Sequence, residues 1–414
     1  MTAFKSDFLR ILQERGFIHQ ISDPESLDDL AARQELVGYI GFDCTAPSLH
    51  VGSMVQIMCL YWLQQTGNKP IALMGGGTTR VGDPSGKDET RKILSIQDIE
   101  RNKEGIKQVF SRFLDFSYDR HGAIMPDNAE WLTQLNWIEM LRDIGRHFSV
   151  NRMLSMDSVK LRLERDQEMS FIEFNYMILQ AYDYVVLNKR YNCRLQMGGS
   201  DQWGNIVNGI DLGRRMGRPR FHALTTPLIT TSSGEKMGKT ASGAVWLNSD
   251  MKSPYEYWQF WRNTEDADVE RFLKLFTRLP LSEIRRLATL QGAEINEAKK
   301  RLATEATALL HGRHVAEQAE QSARLAFEHG GFGTDLKRLS VHVGDSLPAA
   351  NTQIGFSSSN AQARKLIESG AVYLGERRIT NPHYRLSETD FDKDGQVLLS
   401  SGKRFKGILM LKSE

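Results

Sequence analysis

An apolar run, Tyr39-Ile40-Gly41-Phe42, leads into a loop of small residues, Thr45, Ala46, Pro47 and Ser48. His50-Val51-Gly52-Ser53 then opens a second apolar stretch over 54–63. The first run has strand character and the second reads as a helix. A strand feeding a helix through a tight loop turns the free N–H groups and the positive dipole end of that helix toward an anion. Gly52, without a Cβ, would let a ligand approach the backbone. A second polar stretch, Lys236-Met237-Gly238-Lys239-Thr240, follows roughly 185 residues later. Two lysines in a loop are usually a solvated face, and a His beside a Gly is usually a turn. Together they supply a helix head and two cations, the groups an anionic ligand would need.

The rest of the chain supports a large enzyme. Its 414 residues suggest two or three domains and can bury a sizeable core. Apolar content of 40% with 25% charged residues is that of a globular protein. No apolar run is long enough to span a membrane. The amphipathic N-terminal segment carries acids and matches neither a signal nor a transit peptide, so a cytoplasmic location is expected. Cys44, Cys59 and Cys193 lie far apart without a CxxC, so neither a disulfide framework nor a zinc site is expected. A net charge of +2 excludes a uniformly basic nucleic-acid binder and leaves room for local RNA contacts.

Strand-like runs at 71–74, 194–197 and 224–229 alternate with longer helical stretches, which predicts a Rossmann-like, doubly wound α/β domain over 1–249. Ile295, Ala298, Leu302, Leu309 and Leu310 hold a helical period, so 250–330 reads as an α-helical domain. Gly330-Gly331-Phe332-Gly333 breaks the pattern, giving a linker over 331–344 and a small α+β unit over 345–414. The Gly-rich segment from Gly75 to Lys87 follows a strand but is not a Walker A loop. It has one residue too few between Gly82 and Gly86, and Asp88 stands where a magnesium-binding hydroxyl would be. Alone, that segment is equally compatible with a plain loop. Gly198-Gly199-Ser200-Asp201-Gln202 also follows a strand, where ligands bind in this architecture.

The segments GFDCTAPSLHVGS, GDPSGK, LRDIGRHFSVNRML, SFIEFNYMILQAYDY, QMGGSDQWGN and KMGKT occur in this order. The set resembles the bacterial-type tyrosyl-tRNA synthetases nearly end to end. That resemblance implies activation of tyrosine by ATP, with Mg²⁺ as the ATP counter-ion, and transfer to tRNA(Tyr). It implies that Tyr39 and Asp183 bind the substrate phenol, and that Asp83, Tyr176 and Gln180 hold its ammonium. Gln202 would face the carboxylate, and Asn128 would line the same pocket. Asp43, Gly52, Ser53, Gly199 and Asp201 would contact adenosine. Thr45, His50, Lys87, Arg91, Lys236 and Lys239 would contact the phosphates. No protein metal ligands are implied.

Three positions depart from the general pattern. Ser53 replaces a histidine, Gly238 replaces a serine, and Ile40 stands where some relatives carry a polar group. The C-terminal unit resembles an S4-type RNA-binding domain. There Ser358-Ser359-Asn360 should cap a helix ended by Gly370, followed by a hairpin around Gly375-Glu376. Arg364, Lys365, Arg377, Arg378, Lys403, Arg404 and Lys406 are the expected RNA contacts. The resemblance also implies a homodimer. A synthetase-derived RNA scaffold without catalysis, and an enzyme for another aromatic amino acid, are the competing readings. The intact phosphate set argues against the first, and the Tyr39/Asp183 pair against the second.

Overall fold

The computed structural model describes residues 4–83, 94–166, 169–234, 237–240, 243–328, 336–375, 377–392, 395–402 and 405–412. The chain divides into two compact units: Met1–Lys252 with Phe260–His311, and Ser253–Gln259 with Gly312–Glu414.

The first unit is built on strands β1 (Gln20–Ile21), β2 (Val37–Asp43), β3 (Lys69–Gly75), β4 (Leu195–Gly199) and β5 (His222–Thr226), in the order β1-β5-β4-β2-β3. β2 to β5 pair in parallel, and β1 is antiparallel to β5. β3 follows β2 on one side of the sheet, whereas β4 and β5 are added on the other. The order therefore reverses between β2 and β4, as the doubly wound reading requires. β5 ends before the expected run at 224–229 does, because Pro227 has no N–H to extend the ladder.

The helix Met54–Gln65 is buried on nearly every side, which is why its sequence is apolar without a polar stripe. The helix Phe171–Tyr191 begins in a capping box, with Ser170 and Glu173 satisfying each other's backbone N–H groups, and ends at Asn192 in the left-handed region. Buried Glu173 also pairs with Arg162 at 3.0 Å.

The helices after residue 250 are grouped differently from the expected separate domain. Val269–Phe276 packs on Met54–Gln65, and Ile295–His311 packs on Ile96–Phe113, within the first unit. Buried Arg15 donates to the carbonyls of Lys274, Thr277 and Leu279, satisfying the end of that helix from inside the core. Gly312, at φ +89°, breaks the run before the helix Arg313–Glu328, which belongs to the second unit.

Strands β6 (Lys239–Thr240) and β7 (Gly243–Ala244) form a small antiparallel pair. The second unit has β8 (Lys337–Val341), β9 (Val372–Leu374), β10 (Arg377–Ile379), β11 (Gln396–Ser401) and β12 (Phe405–Leu411), in the order β10-β9-β11-β12-β8. Leu347, Ile367, Val372, Leu399 and Leu409 share one core, while Leu398 and Ile408 pack with Tyr255 and Leu336 in another. The predicted cap is present, with Ser359 accepting from the Gln362 amide, and so is the hairpin of β9 and β10.

Candidate active site

β2 and β4 pair only at Gly38–Leu195 and Tyr39–Gln196, although each strand continues toward its carboxyl end. The crevice at the sheet's reversal therefore opens beside Ile40–Asp43 on one strand and Met197–Gly199 on the other. Gly75, at the end of β3, and the turn through Thr78 border it as well. Side chains distant in sequence meet here because three strands end at one edge.

Two groups of hydrogen-bonded polar side chains lie at this edge. Asp183 is buried, and its two carboxylate oxygens accept from Trp131 Nε1 at 2.7 Å and Asn128 Nδ2 at 2.9 Å. Asn128 Nδ2 also reaches Thr78 Oγ1 at 3.0 Å, while its carbonyl accepts from the Gly77 amide at 2.8 Å. Thr78 Oγ1 donates to Asp43 Oδ1 at 2.9 Å, and the Tyr176 hydroxyl approaches Asp43 Oδ2 at 3.4 Å. Gln202 Nε2 donates to Asp83 at 3.1 Å, with Gln180 Nε2 at 3.5 Å from Gln202 Oε1. Two buried polar atoms beside these groups, Tyr39 Oη and Gln180 Oε1, have no hydrogen-bond partner among the described residues. Such atoms are uncommon in a folded interior and mark places where a ligand can complete the bonding.

Burial pushes the Asp183 carboxyl up to about 7. The bonds from Asn128 and Trp131 oppose that rise, and the charges of Asp43 and Asp127 add to it. Burial, with Asp183 second, also holds the Tyr39 phenol far above its ordinary range. Tyr39 is therefore a neutral hydroxyl at neutral pH.

The second half of the site is the turn Val51–Ser53. His50 caps it, its Nδ1 accepting from the Gly52 amide at 3.0 Å, so the ring proton resides on Nε2. The chain at 245–247 runs alongside, with Val51 N donating to Val245 O and Leu247 N to Leu49 O, each at 2.9 Å. Val245 N in turn donates to Gly238 O, and Met237 N to Ile229 O. This brings the Met237-Gly238 backbone onto Gly52. A Cβ on Gly52 would lie 2.7 Å from His50 Cε1 and 2.9 Å from Met237 O. Glycine is thus required at position 52 by packing within the protein, a reason different from ligand approach. Gly238 adopts φ +83°, which gives its departure from serine a conformational cause.

Thr45 is exposed and Ser53 half-buried near this turn. Gly199 is buried with the Asp201 carboxylate directly over it, 2.5 Å from where a Cβ would be, while Asp201 itself is exposed. Lys87, Arg91 and Lys236 lie outside the described residues. Of Lys239 only the backbone, in β6, is described.

In the second unit Arg364 and Lys365 are exposed on the helix Asn360–Glu368. Arg377 is engaged by Asp390 and Tyr384. Arg378 donates to the carbonyls of Gly370, at 2.7 Å, and Ser369, at 3.1 Å, which end that helix. Both arginines therefore have structural partners inside the domain. Lys406 is half-buried, and burial lowers its pKa. Lys403 and Arg404 lie outside the described residues.

Sequence reasoning passed over Thr78, Trp131, Lys103 and Asp127. Trp131 and Asp183 lie 52 residues apart, so no local pattern signals the bond; only the packing of the segment that carries Trp131 against the helix Phe171–Tyr191 reveals it.

Residues 31–328 match the family of class I tRNA synthetases for tryptophan and tyrosine, and residues 352–392 match the S4 domain. The chain is 63% identical to the tyrosine–tRNA ligase of Rhodopseudomonas palustris, over 99% of this chain and 100% of the relative. It is 59% identical to that of Brucella abortus, over 98% of each. Among solved structures, a C-terminally truncated mitochondrial tyrosyl-tRNA synthetase of Aspergillus nidulans is similar, with TM-score 0.69 and 33% identity, over 77% of this chain and 94% of that one.

Proposed function

The chain belongs to the tyrosine–tRNA ligases of the class I synthetase family, and from that premise we propose how its residues divide the work. Tyr39 Oη and Asp183 receive the phenol of L-tyrosine. Asp183 is the decisive group: with an N–H donor on each oxygen, its ionised form is an acceptor only, and it accepts a hydrogen bond from the phenolic O–H. Phenylalanine would leave these buried groups unpaired, a form of discrimination for which tyrosyl-tRNA synthetases are themselves the standard example. Asp83, Tyr176 and Gln180 hold the ammonium, Gln202 faces the carboxylate, and Asn128 orients Asp183.

The substrate carboxylate, already ionised, attacks the α-phosphorus of ATP and expels pyrophosphate. No serine, cysteine or general base is required. What needs stabilising is the charge that builds on the leaving group. We assign this to Thr45, His50 Nε2–H, Lys87, Arg91, Lys236 and Lys239, with Asp43, Gly52, Ser53, Gly199 and Asp201 around adenosine. Mg²⁺ would accompany ATP as the counter-ion of its phosphates. The tyrosyl group then passes to the 3′ end of tRNA(Tyr), gripped by Arg364, Lys365 and the basic groups near Lys406.

A homodimer is supported by an apolar patch on the first unit: Trp137, Ile138, Leu141, Phe171 and Ile172 are all exposed, with the Trp137 and Phe171 rings 6.2 Å apart. A cytoplasmic location fits this role, and no helix among the described residues is long and apolar enough to cross a membrane.

The test is amino-acid-dependent ATP–pyrophosphate exchange over all twenty amino acids. Rapid exchange with L-tyrosine alone supports the pocket assignment; comparable exchange with phenylalanine or tryptophan overturns it.

A further inference from the structure

One turn of the helix Ile96–Phe113 touches two segments at the carboxyl end of the sheet, the loop after β2 and the segment that runs alongside β3. Asn102 Nδ2 donates to Cys44 O at 2.9 Å, just past the end of β2. Gly105 is pressed so closely on Pro47 that a Cβ there would overlap its carbonyl. Between them Lys103, 9% exposed, places its ammonium 2.6 Å from both Asp127 and Glu100. Asp127 uses its other oxygen to accept from the amides of Gly76, at 3.0 Å, and Ala129, at 2.9 Å. Asn128, the next residue, holds Gly77 and Thr78 with its carbonyl and Asp183 with its amide.

We propose that Lys103 is a positioning residue for tyrosine recognition: by fixing and neutralising Asp127, it sets the Asp127-Asn128 segment against the turn after β3 and so aims Asn128 at Asp183. The proposal rests on the assignment of Asp183 to the substrate phenol.

A buried lysine is costly unless its charge is paired. Here burial works against the charged form, and the bonds to Asp127 and Glu100 outweigh it, leaving the pKa raised. The charges around Asp183 explain why a cation is needed nearby. Asp43 comes from β2 and Asp127 from the segment that runs alongside β3, both raising the Asp183 pKa. Tyr39 and Tyr182 are neutral phenols, and Arg190 is stacked on Trp131 and paired with Glu130. Without Lys103, Asp127 becomes an uncompensated charge beside Asp183, and its hold on the Gly76 amide slackens.

The experiment measures pyrophosphate exchange by full-length Lys103→Met, Lys103→Arg and Asp127→Asn variants, and by the Lys103→Met/Asp127→Asn pair. In Lys103→Met the tyrosine KM should rise about tenfold while the ATP KM changes far less. The acidic limb of kcat/KM for tyrosine should move up by about half a pH unit. Arginine should restore both, and the Met substitution should cost less in the Asp127→Asn background, where no charge needs pairing. An unchanged tyrosine KM and pH profile in folded Lys103→Met overturns the proposal, as does an equal cost in both backgrounds. Asp183→Asn serves as the separate control: if it leaves the tyrosine KM unchanged, the pocket assignment fails, whatever Lys103 does.

Discussion

A Cβ on Gly238 would lie 2.7 Å from the backbone nitrogen of Gly52, so the lysine loop and the His50 turn meet backbone to backbone. The contact is held by the Val245–Gly238 and Val51–Val245 hydrogen bonds. It carries the lysine-bearing segment to the N-terminal turn that heads the helix Met54–Gln65.

Gly238→Ser tests that contact. The left-handed conformation costs a residue with a side chain roughly 1–2 kcal/mol, and the hydroxymethyl group would also push the loop off Gly52. Adenylate formation should slow by about tenfold, with the tyrosine KM unchanged. A serine variant with the parent rate in a pre-steady-state assay would show that the loop reacts from another arrangement.

Lys236→Ala and Lys239→Ala should each lower the adenylation rate by roughly 10²-fold or more and leave tyrosine affinity nearly unaltered. The same single-turnover measurement decides it. Parent rates in both variants would make KMGKT no more than a solvated loop.

Tyr39→Phe removes a hydroxyl that has no partner among the described residues. Thermal stability without substrate should therefore hold or rise. The tyrosine KM should increase roughly threefold to tenfold through the lost hydrogen bond, and phenylalanine should be activated better than by the parent. A large loss of stability with no change in KM would assign Tyr39 to the core alone.

The Asp183 pKa of about 7 makes tyrosine recognition pH-dependent. Below that pH the carboxyl takes a proton that competes with the N–H donors of Asn128 and Trp131, so kcat/KM for tyrosine should fall as pH drops through 7. Stability runs the other way. The folded pKa lies above the ordinary 3.8, so this group favours folding most below about 4, and that contribution is lost as pH rises through 7. Trp131→Phe deletes one donor to the ionised form and should move the acidic limb upward. A pH-independent tyrosine KM between 6 and 8 (about one unit either side of the Asp183 value) would contradict this.

In the C-terminal unit the arginines should separate by role. Arg364→Glu with Lys365→Glu should raise the tRNA KM and flatten its salt dependence. Arg378→Ala should chiefly lower the melting temperature of the unit, since its guanidinium satisfies the carbonyls of Ser369 and Gly370. Equal effects of both changes on tRNA binding at unchanged stability would return Arg378 to the RNA surface.

Much of this was legible in the linear chain because it is local chemistry. Strand, loop and helix head at 39–54, the Ser359 cap and the β9–β10 hairpin depend on neighbours within a few residues, and each has the predicted form. The family was equally legible, because six short segments keep their residues and order. What the tertiary structure alone decided are contacts between segments far apart in the chain. The sheet brings Trp131 and Asn128 to Asp183, and Lys103 to Asp127, and no periodicity marks those pairs. The reason Gly52 and Gly238 must be glycines is likewise invisible until their backbones meet. The helices after residue 250 are alike in pattern, and it is Arg15 and the packing on Met54–Gln65 that place Val269–Phe276 in the first unit. Local sequence determines which elements form and which chemistry they carry. Burial and long-range hydrogen bonding determine which of those groups share a site, because only packing removes the water that would otherwise satisfy each of them separately.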